Sequence, residues 1–244
     1  GYHLSKASLK KGWKVTSIST KPPKKIRFLP KVKYIICDIT NKKIINRKIK
    51  EYFHYVVNLG GYVDHSNKKK TFKSHYYGCK NLADFFLNKQ LEAFIQIGSC
   101  IEYGRAKSPQ TENKFSNPKF NKSVYGKAKL MSSIYLKKLF KKKGFPSTIL
   151  RLYLAYGPRQ DVNRFIPIII TGCIRNKPFP CSEGSQLRDF LHVKDVVNGI
   201  FKTLQNKRAR GHIINIGSGK PRKIKEIIKL IKDKVKKGKP KFGK

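Results

Sequence analysis

Ala93-Phe94-Ile95-Gln96-Ile97-Gly98-Ser99-Cys100-Ile101-Glu102-Tyr103-Gly104 is the stretch that decides how this chain is read. An apolar run breaks into a glycine turn, the pattern of a buried strand with Ser99 just past its carboxyl end. After a polar loop, Ser123-Val124-Tyr125-Gly126-Lys127-Ala128-Lys129 leads into an apolar-periodic segment that reads as a helix. Tyr125 and Lys129 are four residues apart and so share one face of it. A hydroxyl at a strand end and a Tyr/Lys pair on a helix can meet at one place. There a lysine cation lowers the phenol's pKa, and the phenol can exchange a proton with an alcohol or a carbonyl. In so lysine-rich a chain, Tyr-x-x-x-Lys alone also reads as an exposed helix face.

The 244 residues suit one domain, or one domain with a smaller appended lobe, and 39% hydrophobic residues suffice for a core. No apolar run reaches the ~18 residues of a membrane helix. No charged-then-apolar leader is read before the first element. Cys37, Cys79, Cys100, Cys173 and Cys181 are odd in number and lack C-x-x-C spacing. Free thiols in a reducing cytosol are therefore expected, with no disulfide frame and no metal site. Lys+Arg number 56 against 13 Asp+Glu, a net charge of +43. The cations are spread between apolar positions and not gathered into an arm, and no nucleic-acid-binding motif is found. Nucleic-acid contact is expected to be non-specific at most, although any anionic ligand is drawn to such a surface.

The Ser99 turn followed by Tyr125-x-x-x-Lys129 resembles the extended short-chain dehydrogenase/reductases, and within them the nucleotide-sugar epimerase/dehydratase branch. Later stretches carry the same resemblance. Arg151-Leu152-Tyr153-Leu154-Ala155-Tyr156-Gly157-Pro158 is close to Arg-x-x-Asn-x-Tyr-Gly-Pro, with Leu154 in place of the asparagine. Arg188-Asp189-Phe190-Leu191-His192-Val193-Lys194-Asp195-Val196 matches Arg-Asp-Phe-x-x-Val-x-Asp-Val. Ile213-Ile214-Asn215-Ile216-Gly217-Ser218-Gly219 is a strand and glycine turn of the same kind.

The resemblance implies an α/β fold, a doubly wound parallel Rossmann-like sheet with a small interleaved substrate lobe. Residues 1–157 and 188–219 would bind NAD(P), and 158–187 with 220–244 would form a partial lobe. Gly1 falls where the family's third fingerprint glycine stands, so the chain is expected to begin inside that motif and to be cut at both ends. Ser19 occupies the place of the acidic residue that takes the adenosine ribose of NAD, with Lys21 close behind. The cofactor is thus NAD or NADP, with NADP favoured. Asp38 and Ile39 are implied at the adenine. Leu59, Gly60, Gly61 and Leu152 are implied along the cofactor, and His75 stands where the family has an asparagine. Arg164, Phe165 and Arg188 are implied substrate contacts, the arginine of the Arg-Asp-Phe motif binding the nucleotide diphosphate. For Arg188 the alternative is an internal salt bridge to Asp189 or Asp195.

The implied activity is that of an NAD(P)-dependent epimerase or 4-ketoreductase on a nucleotide-diphosphate sugar. Tyr125 would be general acid/base, Lys129 its activator and a cofactor-ribose ligand, and Ser99 the partner of the sugar oxygen. Dehydratases of this branch have an Asp-Glu pair directly after the Ser/Thr. Here Cys100 and Ile101 stand there and Glu102 comes one place too late, which argues against a 4,6-dehydratase. A homodimer without membrane attachment, in the cytoplasm, is implied as well. The alternative of a different class is a catalytically impaired Rossmann-fold protein that uses its basic charge on nucleic acid or anionic surfaces.

Overall fold

The computed structural model describes residues 1–64, 66–114 and 116–243. Strands and helices alternate from the start. Helix α1 (Tyr2–Lys10) leads to β1 (Val15–Ser19), which pairs in parallel with β2 (Val32–Ile36), Val15 opposite Val32. Helix α2 (Lys42–Lys48) is capped by Asn41, whose side-chain oxygen accepts from the N–H groups of Lys43 and Ile44. After β3 (Tyr55–Asn58), Asn67 caps α3 (Lys68–Phe72). One turn of π-helix, Lys73–Tyr77, carries α3 into α4 (Gly78–Phe86). The sequence pattern predicts one helix from Thr71 to Asn88; the structure starts it earlier and interrupts it within.

Next come β4 (Ala93–Ser99), α5 (Val124–Lys143) and β5 (Ser147–Leu152). The Ser123 hydroxyl caps α5 by accepting from Gly126 N–H at 3.2 Å, and left-handed Gly144 ends it. The chain continues through β6 (Leu154–Tyr156), α6 (Phe165–Arg175), β7 (Pro178–Cys181), β8 (Leu187–Arg188), β9 (Phe190–His192) and α7 (Val193–Gln205). It ends with β10 (Ile213–Ile216), β11 (Arg222–Lys223), α8 (Ile224–Val235) and β12 (Lys239–Phe242).

Two compact units result, Gly1–Leu152 with Val196–Ile216, and Tyr153–Asp195 with Gly217–Lys244. The first holds a four-stranded parallel sheet in the order β10-β5-β4-β3, beside the parallel pair β1-β2. Parallel strands need helical crossovers, and these cover the sheet, so the central strands are buried on both faces. Ala93 to Gln96 and Ser147 to Arg151 are accordingly buried. The core joins Ile45 of α2, Cys79 and Ala83 of α4, Phe94 of β4, Leu136 of α5 and Ile149 of β5. Each large apolar side chain buried in this way contributes about 1.5–3 kcal/mol. Asp84 ties three helices together, accepting from Lys80 at 2.8 Å, from Lys42 of α2 at 3.3 Å and from the Tyr135 hydroxyl of α5.

The second unit packs α6 on α8 around Ile169, Cys173, Cys181, Ile224 and Ile228. Among the described residues its strands form three pairs, β6-β9 and β7-β12 parallel and β8-β11 antiparallel. The sequence assigns residues 153–157, 188–195 and 217–219 to the dinucleotide domain; in the structure they group with the smaller unit. The reason is local pairing. β9 runs alongside β6, and Asp189 accepts the N–H groups of Ser218 and Gly219, both at 2.8 Å. No disulfide joins any of the five cysteines. Among the described residues, no helix is long and apolar enough to cross a membrane.

Candidate active site

Strand β4 delivers Ser99 to its carboxyl end, opposite Leu152 of β5 in register. Ser99 is the extended N-cap of a 3-10 turn, Cys100–Tyr103. Its hydroxyl accepts from Ile101 N–H at 3.4 Å, and its own N–H donates to Glu102 Oε1 at 2.8 Å. This is a capping box, in which two donors of the turn are satisfied reciprocally. The Glu102 side chain is wholly buried, and its other oxygen accepts from the Ser133 hydroxyl at 2.7 Å and from Arg151 Nε at 3.0 Å. The Arg151 guanidinium lies 4.3 Å from the centre of the Tyr103 ring, and Tyr103 donates to Asn215 Oδ1 at 2.8 Å.

The start of α5 and the residues before it tie to this turn and to β4 at two points. Asn121, just before the helix, donates to the Ile101 carbonyl at 2.9 Å and accepts from Ser123 N–H. One turn into the helix, Lys129 Nζ donates to the Ile97 carbonyl of β4 at 2.6 Å. Lys129 is only 4% exposed, and its ammonium lies 5.9 Å from the centre of the half-buried Tyr125 ring. Burial pushes the Lys129 pKa below the ordinary lysine range, while Glu102 and then Cys79 act to raise it. The exposed-face alternative for Tyr125 and Lys129 is therefore removed for the lysine. Its amino group is held inside, bonded two residues before Ser99.

His75, in the π-helical turn, is buried and stands edge-on to Tyr125 with ring centres 4.8 Å apart. Its Nε2 lies 3.2 Å from the Tyr62 carbonyl oxygen, and its own carbonyl accepts from Ser132 of α5. Gly61 has φ +153°, and a Cβ there would lie 1.8 Å from the imidazole. Gly61→Ala is expected to lower stability by roughly 1–3 kcal/mol, because the ring must leave Tyr125 to make room. A lower urea midpoint at an unchanged slope checks it.

The remaining sequence-derived positions fall at strand ends. Ser19 ends β1 exposed, its hydroxyl donating to the Lys21 carbonyl. Asp38 follows β2 with an exposed carboxylate, one oxygen of which accepts from Thr40 N–H at 2.9 Å. The Ile39 side chain lies beside two glycines: its Cδ1 is 3.4 Å from where a Cβ of Gly60 would be and 3.1 Å from one of Gly78. Leu59 and Gly60 follow β3 exposed, and Gly60 N–H donates to Asn58 Oδ1. Gly1 precedes α1 as its N-cap. Glycines without side chains, an apolar ledge at Ile39 and a carboxylate at Asp38 fit a dinucleotide, with glycine letting the backbone approach the ligand closely.

Arg164, Phe165 and Arg188 lie in the second unit. Arg164 is the N-cap of α6, and Phe165 packs on Phe190 with ring centres 5.8 Å apart, within that unit's core. Arg188 is exposed on β8, its guanidinium donating to the Leu187 carbonyl. Asp189, offered as its internal partner, is instead taken by Ser218 and Gly219. Among the described residues, no cluster of three or more His, Cys, Asp or Glu could hold a metal ion. Sequence reasoning misses the buried side of the site, Glu102 with Ser133 and His75 against Tyr125. Its one signal in the sequence is the Ser-x-x-Glu spacing of a capping box at 99–102.

The profile of the NAD dependent epimerase/dehydratase family matches residues 1–217. A putative UDP-glucose 4-epimerase of Methanocaldococcus jannaschii is 27% identical over 217 residues, covering 84% of this chain and 69% of that protein. Human dTDP-D-glucose 4,6-dehydratase is 30% identical over 163 residues, covering 64% of this chain and 45% of that one. The chain thus spans less than half of some curated relatives it matches. The solved UDP-glucuronic acid 4-epimerase of Bacillus cereus, in complex with UDP-glucuronic acid and NAD, superposes with a TM-score of 0.85 at 24% identity. That likeness covers 99% of this chain and 82% of that one, and fixes the Rossmann-like α/β fold. On these matches the chain belongs to the NAD-dependent epimerase/dehydratase family.

Proposed function

We propose that this chain carries the active site of an NAD(P)-dependent epimerase or 4-ketoreductase acting on a nucleotide-diphosphate sugar, with Ser99, Tyr125 and Lys129 as its working groups. The observation that supports this best is the buried Lys129, bonded to the Ile97 carbonyl and facing Tyr125. Burying an ammonium is costly, and beside a phenol the cation favours the phenolate.

A bound nicotinamide dinucleotide would supply the hydride acceptor and donor. Asp38 and Ile39 would hold the adenosine, and Gly60 and Gly61 would lie along the dinucleotide. Ser19 and Lys21 bring no carboxylate to the end of β1, which favours a 2′-phosphate and hence NADP. On the substrate, Tyr125 takes the proton of the sugar hydroxyl as that carbon becomes a carbonyl, and returns it when the carbonyl is reduced. Ser99 hydrogen-bonds the same oxygen, and Lys129 stabilises the tyrosine's anionic form. Arg188, exposed and cationic, suits the diphosphate as a guanidinium fork. Cys100 and Ile101 offer no carboxylate for water elimination, so epimerisation or simple reduction is favoured over dehydration.

The test is incubation with UDP-hexoses, UDP-hexuronic acids and 4-keto sugar nucleotides, with NAD(H) or NADP(H), the products resolved by chromatography and NMR. Inversion or reduction at C4 is expected, with NADP(H) preferred. Absence of turnover across that panel would overturn the reading. A preference of about tenfold or more for NAD(H), some 1.4 kcal/mol, would overturn the role given to Ser19 and Lys21 alone.

A further inference from the structure

Glu102 is heavily bonded beside the site, and the chemistry proposed for Ser99, Tyr125 and Lys129 makes no use of it. Its carboxylate accepts from Ser99 N–H at the end of β4, from Ser133 of α5 and from Arg151 of β5, and it lies in the field of Lys129. A buried ion pair is a poor source of stability, because the desolvation of two charges offsets most of their attraction. The position of this carboxylate, bonded to the backbone of the very residue that presents the hydroxyl, accounts for it better. Gly98 fits around it: a Cβ there would lie 2.5 Å from Glu102 Oε1.

We propose that Glu102 is a positioning residue of this active site, fixing the Ser99 turn through its N–H and supplying the counter-charge to the Lys129 ammonium. The inference rests on the proposed roles of Ser99, Tyr125 and Lys129. Lys129 donates to the Ile97 carbonyl of β4 and lies over the Tyr125 ring on its own helix. The Ser133 hydroxyl reaches both the Lys129 backbone carbonyl at 3.2 Å and Glu102 Oε2 at 2.7 Å. Glu102 and Cys79 are the two groups that raise the Lys129 pKa. Glu102 in turn faces Arg151, itself stacked on Tyr103. Burial pushes the Cys79 thiol up to about 12, so at neutral pH it carries no charge. Of the two groups that raise the Lys129 pKa, Glu102 acts the more strongly. Glu102 thus works against the lowering of the Lys129 pKa by burial.

Two variants separate charge from geometry. Glu102→Gln keeps the size and an oxygen to accept from Ser99 N–H but removes the charge. Glu102→Asp keeps the charge and withdraws it from Ser99 by one methylene. The first readout is the titration of Lys129 by NMR of protein labelled at lysine Cε, its signal assigned by loss in Lys129→Met. The second is the pH profile of turnover. In Glu102→Gln the Lys129 midpoint is expected to fall by about one pH unit or more, and the falling limb of turnover with it. In Glu102→Asp the midpoint should hold while turnover drops about tenfold or more at an unchanged KM, since displacements near 1 Å cost up to about 10²-fold. A Lys129 midpoint unmoved in Glu102→Gln, or wild-type turnover in Glu102→Asp, would overturn the proposal. If Glu102→Gln does not fold, Glu102→Asp decides; if neither folds, the role is structural and the proposal falls. The NMR titration needs no substrate. A wild type inert towards nucleotide sugars would therefore remove the proposed function and leave this measurement to be judged by itself.

Discussion

Tyr125→Phe is expected to lower turnover of a nucleotide sugar by roughly 10²–10⁴-fold, the range general acid–base catalysis contributes. The substitution removes the proton carrier and keeps the ring. The edge-on contact with His75, 4.8 Å between centres, involves ring and not hydroxyl, so the packing around Gly61 should survive. Cofactor affinity and the unfolding midpoint should stay close to wild type. The measurement is single-turnover kinetics of wild type and variant at saturating cofactor, with folding checked by circular dichroism. Near-normal turnover in a folded variant would remove Tyr125 from the chemistry and leave its approach to Lys129 as packing.

The parts of this site that are legible in the sequence are those governed by local rules. An apolar run ending at Gly98-Ser99 reads as a strand meeting a turn, and β4 stops at Ser99. Two residues four apart on a helix share a face, and Lys129 does lie against the Tyr125 ring. The parts that sequence does not reveal depend on long-range partners. Glu102 reads as a misplaced dehydratase residue because its meaning comes from Ser133 and Arg151, 31 and 49 positions away. His75 reads as a substituted cofactor contact, yet the bulk of its ring is set against Gly61 and Tyr125. The π-helical turn that carries it has no signature among the lysines and aromatics around it. The unit boundary around residues 188–195 escapes sequence reading for the same reason. Pairing of β6 with β9 joins Leu154 to Phe190, and no local periodicity announces it.

Lys129→Met should separate stability from activity. Lys129 is buried, with its pKa held below the ordinary lysine range first of all by that burial. A lysine depressed in the folded state binds its proton more weakly there than in the unfolded chain. Between the two pKa values the unfolded chain holds more protons, so this group's contribution to stability rises with pH across that window and is least favourable below it. Methionine abolishes that dependence and fills similar volume, at the loss of one bond to the Ile97 carbonyl. The unfolding midpoint is therefore expected to stay level or rise at neutral pH, and to vary less as pH increases. Activity should move the other way. Without the ammonium beside it the Tyr125 phenolate loses its stabilisation, so turnover should fall by roughly 10²-fold or more, the cost of removing one preorganised electrostatic partner. The rising limb of the residual activity, set by Tyr125, should shift to higher pH, and cofactor binding should weaken. Thermal unfolding at several pH values and a pH–rate profile of the same preparation check both halves. A variant that is stable and fully active would show the buried cation to be a bystander. One that loses activity only because it unfolds would make Lys129 an anchor for α5 on β4 and not a participant in the chemistry.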